Sequence, residues 1–415
     1  MRHVIIGGSI AGISAAKAIR QSDPSAEVTV LSGEKARPYY RPMIPFLIRK
    51  GDIDITFEGD LEKRYGFAVA YKKAVGIDVA KKEVRLESGR NISYDRLLIA
   101  TGSRPVVPAI PGIRGEAVFT LRTAQDARSI GKSAEKARSA VVLGGGLVGI
   151  KTAIALRKAG LGVTIVEKLD CILPGKFDRR GSEIISNIVE KEGIRVLTGI
   201  SISEVVRAKG ELRGVRLSSG DTLDAGMLIV AAGTLPDLDI VKGTGIRTRT
   251  GVLIDENLRT SVPDIYAAGD VVEYTDLVFG RSAVSALWTN AEEMGRLAGR
   301  NMAGGKAKYE GFLSVLNSSE IFDIPVMAIG LVEPDPLSRE YESLVEDNVD
   351  SYKKLVFKGS VLVGAVFIND VENAGIYTNL IRSRMQMGGL KEEAIKGSLR
   401  YINFIRTVPE QTMSA

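Results

Sequence analysis

The sequence has one cysteine, Cys171, and one histidine, His3, among its 415 residues. A single cysteine excludes a disulfide within the chain and a metal cluster held by cysteines of this chain. A single histidine argues against a Ser-His-Asp triad, a histidine zinc site and acid–base chemistry by histidine. Any redox or transfer chemistry must therefore be carried by a bound cofactor, and no metal site is expected.

Long apolar runs and dense charge clusters are also missing. No run approaches the roughly 18–20 apolar residues that a membrane span needs, and the N-terminal apolar run ends too early for a signal peptide. The net charge is +6, with 45% hydrophobic and 26% charged residues. This mild basicity suits anionic nucleotides or an acidic partner but does not indicate nucleic acid. We expect a cytoplasmic enzyme of two or three domains.

The chain opens with the pattern strand, glycine turn, helix, strand. An apolar strand at residues 3–6 precedes the turn GGSIAG, and a helical stretch leads to a second strand at 27–31. This is the first βαβ unit of a nucleotide-binding fold. Gly7 permits the tight turn, the small Ser9 lets the backbone approach a pyrophosphate, and Gly12 lets the helix pack closely. Glu34 follows the second strand and is placed to accept hydrogen bonds from a ribose.

The same pattern recurs near the middle of the chain, where the turn GGGLVG matches the dinucleotide fingerprint in full. Gly144, Gly146 and Gly149 are its three glycines. Glu167 ends the following strand, and an acidic residue there favours the free ribose hydroxyls of NAD over the extra phosphate of NADP. Lys168 beside it weakens that preference. From about residue 306 the pattern changes to strands followed by helices, which predicts a separate α+β C-terminal domain.

These motifs together resemble the FAD- and NAD-dependent pyridine nucleotide oxidoreductases. The likeness is greatest to the NADH:rubredoxin and ferredoxin reductases and to the flavin portion of NADH-dependent nitrite reductases. It covers nearly the whole chain. The matching stretches are GGSIAG at 7–12, PYYRP at 38–42, IATG at 99–102, GGGLVG at 144–149, AAG at 231–233 and IYAAGD at 265–270.

The resemblance implies an α/β fold with two Rossmann-like domains of the glutathione-reductase type and the α+β C-terminal domain. The FAD domain would comprise residues 1–110 and 240–305, the NAD domain 111–239, and a C-terminal interface or docking domain 306–415. FAD would be the cofactor and NAD(H) the substrate.

The resemblance also implies the site residues. In the FAD site, Asp270 would bond the ribityl chain, Val75 would present backbone to the adenine, and the helix after Leu287 would face the flavin pyrimidine edge. The implied FAD-binding residues are Gly7, Ser9, Ile10, Ala11, Gly12, Glu34, Lys35, Arg41, Pro42, Val75, Ala100, Thr101, Gly102, Gly269, Asp270, Leu287 and Trp288. The implied NAD-binding residues are Gly144, Gly146, Leu147, Val148, Gly149, Glu167, Lys168, Ala232 and Gly233. Trp288 could equally be an ordinary core tryptophan.

Three positions depart from the family pattern. Pro42 stands where disulfide reductases of the family carry the cysteine beside the flavin, so disulfide and cysteine-peroxidase activities are excluded on this alignment. Cys171 follows the NAD-domain strand and cannot replace that thiol. Phe46 stands where ferredoxin reductases carry a lysine, and Lys151 stands where they carry a glutamate. We expect Lys151 to supply a positive charge near the reacting edge of nicotinamide and flavin, although it could equally point along its helix to solvent.

The resulting prediction is an NADH-dependent flavin oxidoreductase that passes electrons to an external one-electron carrier protein, such as an acidic rubredoxin or ferredoxin. Two alternatives stay open. The chain could be the NADH-handling FAD subunit of a larger iron–sulfur or molybdenum/tungsten complex, or a peroxide-forming NADH oxidase. A non-catalytic protein switched by NADH is a further class. A homodimer or a heteromeric complex would form through the C-terminal domain, in which residues 321–330 could be a docking surface or simply core.

Overall fold

A computed structural model describes residues 1–49, 52–57 and 59–399 of the chain. Contacts divide the chain into two compact units: Met1–Leu173 with Ser186–Ser314, and Pro174–Ile185 with Val315–Ala415. The α-helices in the described residues are α1 (Ile10–Ser22), α2 (Phe46–Arg49), α3 (Leu61–Tyr65), α4 (Ala124–Ala134), α5 (Leu147–Lys158), α6 (Arg179–Lys191), α7 (Trp288–Met302), α8 (Ala374–Ser383) and α9 (Lys391–Ile395). Short 3-10 helices span Arg41–Met43, Asp239–Val241 and Gly388–Leu390.

The first unit contains two parallel sheets, each with five strands in the described residues. In both sheets the strand before the glycine turn is central, so the turn lies at the carboxyl end of the middle strand. The strands of one sheet, in spatial order, are Ile265–Ala267, Arg96–Ile99, Arg2–Ile6, Glu27–Leu31 and Ala68–Ala70. Those of the other are Ile194–Leu197, Gly162–Val166, Ser139–Leu143, Met227–Val230 and Val118–Thr120.

The described residues of this unit also form four smaller sheets. Their strands are Ala74–Asp78, Glu83–Leu86 and Asn91–Ser93; Ile202–Ala208, Glu211–Leu217 and Thr222–Asp224; Val252–Leu253, Val272–Thr275 and Ser282–Val284; and the antiparallel pair Ser103–Pro105 with Thr234–Pro236. One strand of this pair follows Arg96–Ile99 of the first sheet in the chain, and the other follows Met227–Val230 of the second.

The second unit is built on an antiparallel sheet. Its strands in spatial order are Leu316–Ile321, Ile324–Gly330, Val361–Ile368, Tyr352–Lys358 and Tyr341–Asp347, with α8 and α9 following in the chain. Val326, Ala328 and Ile329 are buried in it, so these apolar side chains of the segment 321–330 are core. Asp178 accepts hydrogen bonds from the Tyr352 hydroxyl (2.6 Å) and from Lys354 Nζ (3.0 Å).

The predicted fold class is confirmed: two parallel nucleotide-binding-type sheets and an α+β C-terminal part. The predicted strands and helices around both glycine turns occur where expected. The predicted domain boundaries stay a prediction, and residues 400–415 of the C-terminal domain lie outside the described residues. Within the described residues, none of the helices combines the length and apolarity needed to cross a bilayer.

The only histidine, His3, lies in the central strand Arg2–Ile6 and is 1% exposed. Neither ring nitrogen has a hydrogen-bond partner among the described residues. Burial, reinforced by the positive charge of Arg96, lowers the pKa of His3 to about 4. The folded protein therefore holds this imidazole neutral over a pH range in which the unfolded chain protonates it.

This difference predicts a loss of stability in acid. As the pH falls from about 6.5 to about 4, the unfolded state gains a proton that the folded state does not, which costs up to about 3 kcal/mol. We expect the difference in free energy of unfolding between the wild type and His3→Asn to shift by this amount between pH 7 and pH 4, measured by urea denaturation. A pH-independent difference would contradict the assignment.

Candidate functional site

The first glycine turn is sterically determined. Gly7 has φ +129°, and a β-carbon there would lie 2.0 Å from the Ala100 carbonyl oxygen. A β-carbon on Gly12 would lie 1.9 Å from the Gly7 carbonyl oxygen. Any larger residue at either position must displace backbone, because these distances are far below van der Waals contact. The turn therefore brings the start of α1 directly onto the end of the central strand.

The N-terminus of α1 is suited to an anion. Ser9 is its N-cap residue, but the Ser9 side chain does not cap the helix, and the first turn has no acidic residue. The first backbone N–H groups of a helix lack intrahelical acceptors and carry the positive end of the helix dipole. Ser9 Oγ instead accepts a hydrogen bond from Arg41 Nε at 3.0 Å. A guanidinium and free N–H groups together form a site for phosphate oxygens.

Arg41 connects several parts of this site. Besides Ser9, it donates to the carboxylate of Glu34 and, through Nη1, to the backbone oxygen of Arg122 at 2.8 Å. Glu34 also accepts from the hydroxyl of Tyr39, and burial raises the pKa of Tyr39 to about 12. The phenol therefore stays protonated and holds Glu34. Each carboxylate oxygen of Glu34 has a second lone pair for a ribose hydroxyl.

The second predicted FAD motif meets the first. The Cα of Gly269 lies next to α1 and α7. A β-carbon on Gly269 would lie 3.1 Å from the Ala11 Cβ and 3.6 Å from the Ala291 Cβ. Asp270 accepts hydrogen bonds from Ser103 Oγ at 2.9 Å and from Arg122 Nη2 at 3.2 Å. The motif sequences lie far apart in the chain, and the structure brings them together at one end of the first sheet.

Arg122 is a site residue that the sequence analysis missed. Its guanidinium pairs with Asp270, while its backbone oxygen accepts from Arg41. Its position is fixed by the start of α4, where Thr123 and Asp126 form a capping box and Asp126 also accepts from the Arg122 N–H. The sequence RTAQD carries the signal of that cap, which locates the helix start but not the arginine's partners.

Helix α7 is held against α1 by two glycines that the sequence analysis also missed. A β-carbon on Gly295 would lie 2.1 Å from the Ala11 carbonyl oxygen, and one on Gly299 would lie 2.4 Å from that of Ala15. The spacing of four residues puts both on one helix face. This packing fixes where α7 begins, at Leu287 and Trp288, relative to the N-terminal end of α1.

The second glycine turn repeats the geometry of the first. Gly144 has φ +112°, and a β-carbon on Gly149 would lie 2.0 Å from the Gly144 carbonyl oxygen. Gly146, the N-cap of α5, differs from Gly144 and Gly149, since a β-carbon on Gly146 would have nothing within 4 Å. The first turn of α5 has no acidic residue. The open space over Gly146 is the route by which a pyrophosphate can reach the backbone, so the residues present fit a dinucleotide.

Glu167 lies beside this turn and is 9% exposed. Its two carboxylate oxygens accept from the backbone N–H groups of Gly145 (2.7 Å) and Leu169 (2.8 Å). These bonds hold the carboxylate in place, and its remaining lone pairs can accept from a ribose. Lys168 is exposed. A β-carbon on Gly144 would lie 3.4 Å from the Ala232 nitrogen, so residues Ala232 and Gly233 border the turn.

The three departures from the family pattern lie on three elements, the 3-10 helix Arg41–Met43, α2 and α5. Pro42 is exposed in the 3-10 helix Arg41–Met43, and Phe46, the first residue of α2, is 56% exposed. Helix α2 packs against α5, which carries the half-buried Lys151. The helix bearing Phe46 therefore adjoins the helix bearing Lys151. Cys171 is half-buried in the segment after Gly162–Val166.

The remaining predicted residues lie at the helix starts of the two turns, at the end of the strand Arg96–Ile99 and on the protein surface. Ala100 is buried, and Thr101 Oγ1 donates to the Asp237 backbone oxygen at 2.8 Å. Gly102 accepts from the Asp237 N–H at 2.9 Å, which places both at the crossing between the two sheets. Val75 is 46% exposed in the strand Ala74–Asp78, and Lys35 is exposed. Leu147 and Val148 are the first two residues of α5, and Ile10 and Ala11 those of α1.

Comparison with known proteins assigns this arrangement to a family. The sequence profile of the pyridine nucleotide-disulphide oxidoreductases matches residues 1–295, and that of the rubredoxin NAD+ reductase C-terminal domain matches residues 316–385. The chain belongs to the pyridine nucleotide-disulphide oxidoreductase family. It is an NADH-dependent oxidoreductase with FAD as its cofactor, as the motif resemblance predicted.

Two relatives match across most of both chains. One, 30% identical over 96% of this chain and 95% of its own length, is the NADH-dependent phenylglyoxylate dehydrogenase subunit epsilon of Aromatoleum evansii. The other is the NADH-rubredoxin oxidoreductase of Clostridium acetobutylicum, which is 30% identical over 89% of this chain and 91% of its own length. The crystal structure of NADH:rubredoxin oxidoreductase from that organism superimposes with a TM-score of 0.78 at 27% identity, covering 96% of this chain and 99% of that one.

Proposed function

We propose that this protein takes electrons from NADH and passes them through FAD to an external one-electron carrier protein of the rubredoxin or ferredoxin class. The observation that carries the proposal is the pair of glycine turns with anion-binding helix N-termini in one unit, together with a C-terminal part that matches the rubredoxin NAD+ reductase domain. FAD supplies the two-electron to one-electron conversion when bound.

The FAD site in this proposal lies around α1. The first turn of α1, Ser9 and Arg41 hold the pyrophosphate, and Glu34 accepts from the adenosine ribose. Asp270, oriented by Arg122, accepts from the ribityl chain. The N-terminus of α7, at Leu287 and Trp288, faces the flavin pyrimidine edge, where its dipole stabilises negative charge. The other proposed contacts are Gly7, Ile10, Ala11, Gly12, Lys35, Pro42, Val75, Ala100, Thr101, Gly102 and Gly269.

The NADH site lies around α5. Gly144, Gly146 and Gly149 form the turn, and the N–H groups of Leu147 and Val148 bind the pyrophosphate. Glu167 accepts from the adenosine ribose and repels the additional phosphate of NADPH, so NADH is preferred. Lys168, Ala232 and Gly233 border this site. Because hydride transfer requires aligned rings rather than acid–base groups, positioning by these elements is the chain's main catalytic contribution.

The residues at positions 42 and 46 influence which acceptor receives the electrons. Pro42 cannot form a thiol adduct, so electrons leave for an acceptor outside this chain. Phe46 places an exposed apolar ring on the helix adjoining α5. An acidic carrier suits the net charge of +6 through electrostatic steering. We also propose that the protein docks with its partner or dimerises through the C-terminal unit. Its proposed location is the cytoplasm.

A second candidate has support from relatives that are named as subunits of larger enzymes. The Aromatoleum evansii relative that matches along nearly the full length of both chains is named as a subunit of a dehydrogenase. The chain could thus serve as the NADH-handling FAD subunit of a larger complex holding iron–sulfur or molybdenum/tungsten centres. Co-elution with such subunits on purification from native cells distinguishes this from a free enzyme. The peroxide-forming oxidase stays a further prediction, tested by peroxide yield with NADH under air.

The proposal predicts flavin bleaching by NADH in anaerobic stopped-flow. NADPH should reduce the flavin at least about tenfold more slowly, because Glu167 opposes its phosphate. Mixing the reduced protein with oxidised rubredoxin or ferredoxin should restore the flavin spectrum, faster at low than at high ionic strength. No bleaching by either nucleotide would contradict the proposal, and bleaching without reoxidation by any carrier would favour the complex subunit.

The proposed role of Lys151 predicts a change in the flavin itself. Lys151→Ala removes a cation near the reacting edge, so we expect a lower midpoint potential and an about tenfold slower hydride transfer. Lys151→Arg keeps the charge and should retain both. Lys158→Ala, on the same helix but at its far end, is the matched control. Unchanged potential and rate in Lys151→Ala would show that this side chain plays no part in the reaction.

A further inference from the structure

One edge of the antiparallel sheet in the second unit is formed by the strand Tyr341–Asp347, here named the acidic edge. In the described part of the chain it pairs with Tyr352–Lys358 and with no second strand. The register is continuous over its seven residues, without the bulge that commonly protects an exposed edge. A regular strand of this length is a template for one further strand.

The backbone groups of the acidic edge alternate between the sheet and the outside. At the hairpin that follows it, the Asn348 N–H donates to the Ser351 oxygen at 2.9 Å. Because successive residues of an antiparallel ladder alternate in direction, the N–H groups of Ser343, Val345 and Asp347 point away from the neighbouring strand. These are the groups that an added strand would pair with.

Exposed apolar residues lie within the acidic edge and beyond both of its ends. Leu337 precedes the strand and is 89% exposed, Val349 follows it and is fully exposed, and Val345 within it is 51% exposed. Apart from Leu337 and Val349, no large apolar residue in the described part of the chain is more than 58% exposed. Single exposed apolar residues are ordinary, but a group of them beside unpaired backbone marks a contact surface.

The charge of this region is opposite to that of the whole chain. The chain has a net charge of +6, but residues 333–350 contain one base, Arg339, and seven acids. The acids are Glu333, Asp335, Glu340, Glu342, Glu346, Asp347 and Asp350. Glu340, Glu342 and Asp347 form ion pairs with bases of the same unit, and the segment stays negative after these pairs. An acidic carrier would be repelled here, so this surface suits a basic partner.

A second copy of this chain is a poor occupant of the acidic edge. Antiparallel pairing of two such edges, centred on Leu344, would place Glu342 of each copy opposite Glu346 of the other. Like charges opposite each other destabilise a sheet, and edge charges commonly prevent this self-pairing. That role accounts for the acids, whereas the exposed Leu337 and Val349 are residues that contact with another chain would bury.

We propose that the acidic edge binds an extended segment of a different protein, which adds a strand to the sheet and carries bases opposite Glu342, Glu346 and Asp347. Hydrogen bonds with the outward backbone groups of Ser343 and Val345 supply affinity, and the bases supply specificity. This surface deepens the proposed docking through the C-terminal unit and rests on that part of the proposed function. The binding itself requires neither NADH nor electron transfer.

Two rhodamine-labelled peptides test the proposal by fluorescence anisotropy with the FAD-loaded full chain. In the antiparallel register, the peptide KKVITKT sets lysines opposite Asp347, Glu346 and Glu342, and the peptide EEVITET sets glutamates there. The basic peptide should bind at least about tenfold more tightly than the acidic one at low salt, because cross-strand charge pairs add to its affinity and like charges oppose the other. The difference should shrink in about 0.5 M NaCl, which screens exposed charges.

Variants separate the backbone from the charges. Val345→Pro removes an outward N–H without changing the charge and should weaken binding of the basic peptide about tenfold. Ser318→Pro is the matched control, since it places a proline at an exposed position of the opposite edge strand, Leu316–Ile321, and should bind like the wild type. Glu342→Gln combined with Glu346→Gln keeps the backbone and should remove most of the preference for the basic peptide.

Several results would overturn the proposal. They are no binding of the basic peptide, equal affinity for both peptides, or equal losses in Val345→Pro and Ser318→Pro. A dimer in sedimentation velocity that Val345→Pro dissociates would also overturn it, because a second copy would then occupy the edge. FAD content and thermal midpoint, measured for each variant, identify any variant that misfolds.

Flavin reduction by NADH is measured in the same preparations, which separates this surface from the proposed function. If NADH reduces the flavin but the basic peptide does not bind, the docking surface is wrong and the proposed electron transfer stands. If the peptide binds with the expected preference but NADH does not reduce the flavin, the proposed function fails and the docking surface stands.

Discussion

The first unit depends on the same close contact at two places. In each, a glycine in a helix lies against a backbone carbonyl oxygen of the glycine turn that precedes the helix. Gly12 approaches the Gly7 carbonyl oxygen, and Gly149 approaches that of Gly144, with no room for a β-carbon. Each contact brings the first turn of a helix to the carboxyl end of a central parallel strand. Both positive helix ends consequently lie where a phosphate can reach them. The other site residues are arranged around these two points.

The two sites differ in what the chain itself supplies. At the first turn, Arg41 ties Ser9, Glu34 and the backbone of Arg122 together, and Arg122 continues to Asp270. This network connects residues as far apart in the chain as Ser9 and Asp270. At the second turn, the space above Gly146 is open and only Glu167 is held by backbone N–H groups. In the proposed function the first site holds FAD, and the second binds an NADH that enters and leaves at each turnover.

Much of this arrangement could be predicted from the sequence because local patterns determine it. The strands and helices at both turns follow from apolar runs next to glycines, and the family motifs supplied the fold class. Contacts between distant segments could not be predicted. The ion pair of Arg122 with Asp270, the packing of Gly295 and Gly299 onto α1, and the meeting of α2 with α5 depend on how elements are placed in space.

The proposed binding of nucleotides through the backbone of the glycine turns is tested most directly at Gly146. Gly146→Ala adds one methyl group to open space, so the thermal midpoint and the FAD content should match the wild type. The dissociation constant for NADH should nevertheless rise at least about tenfold, because the methyl group occupies the approach of the pyrophosphate. Gly149→Ala, by contrast, should lower the thermal midpoint. Wild-type NADH affinity in a well-folded Gly146→Ala protein would contradict the account.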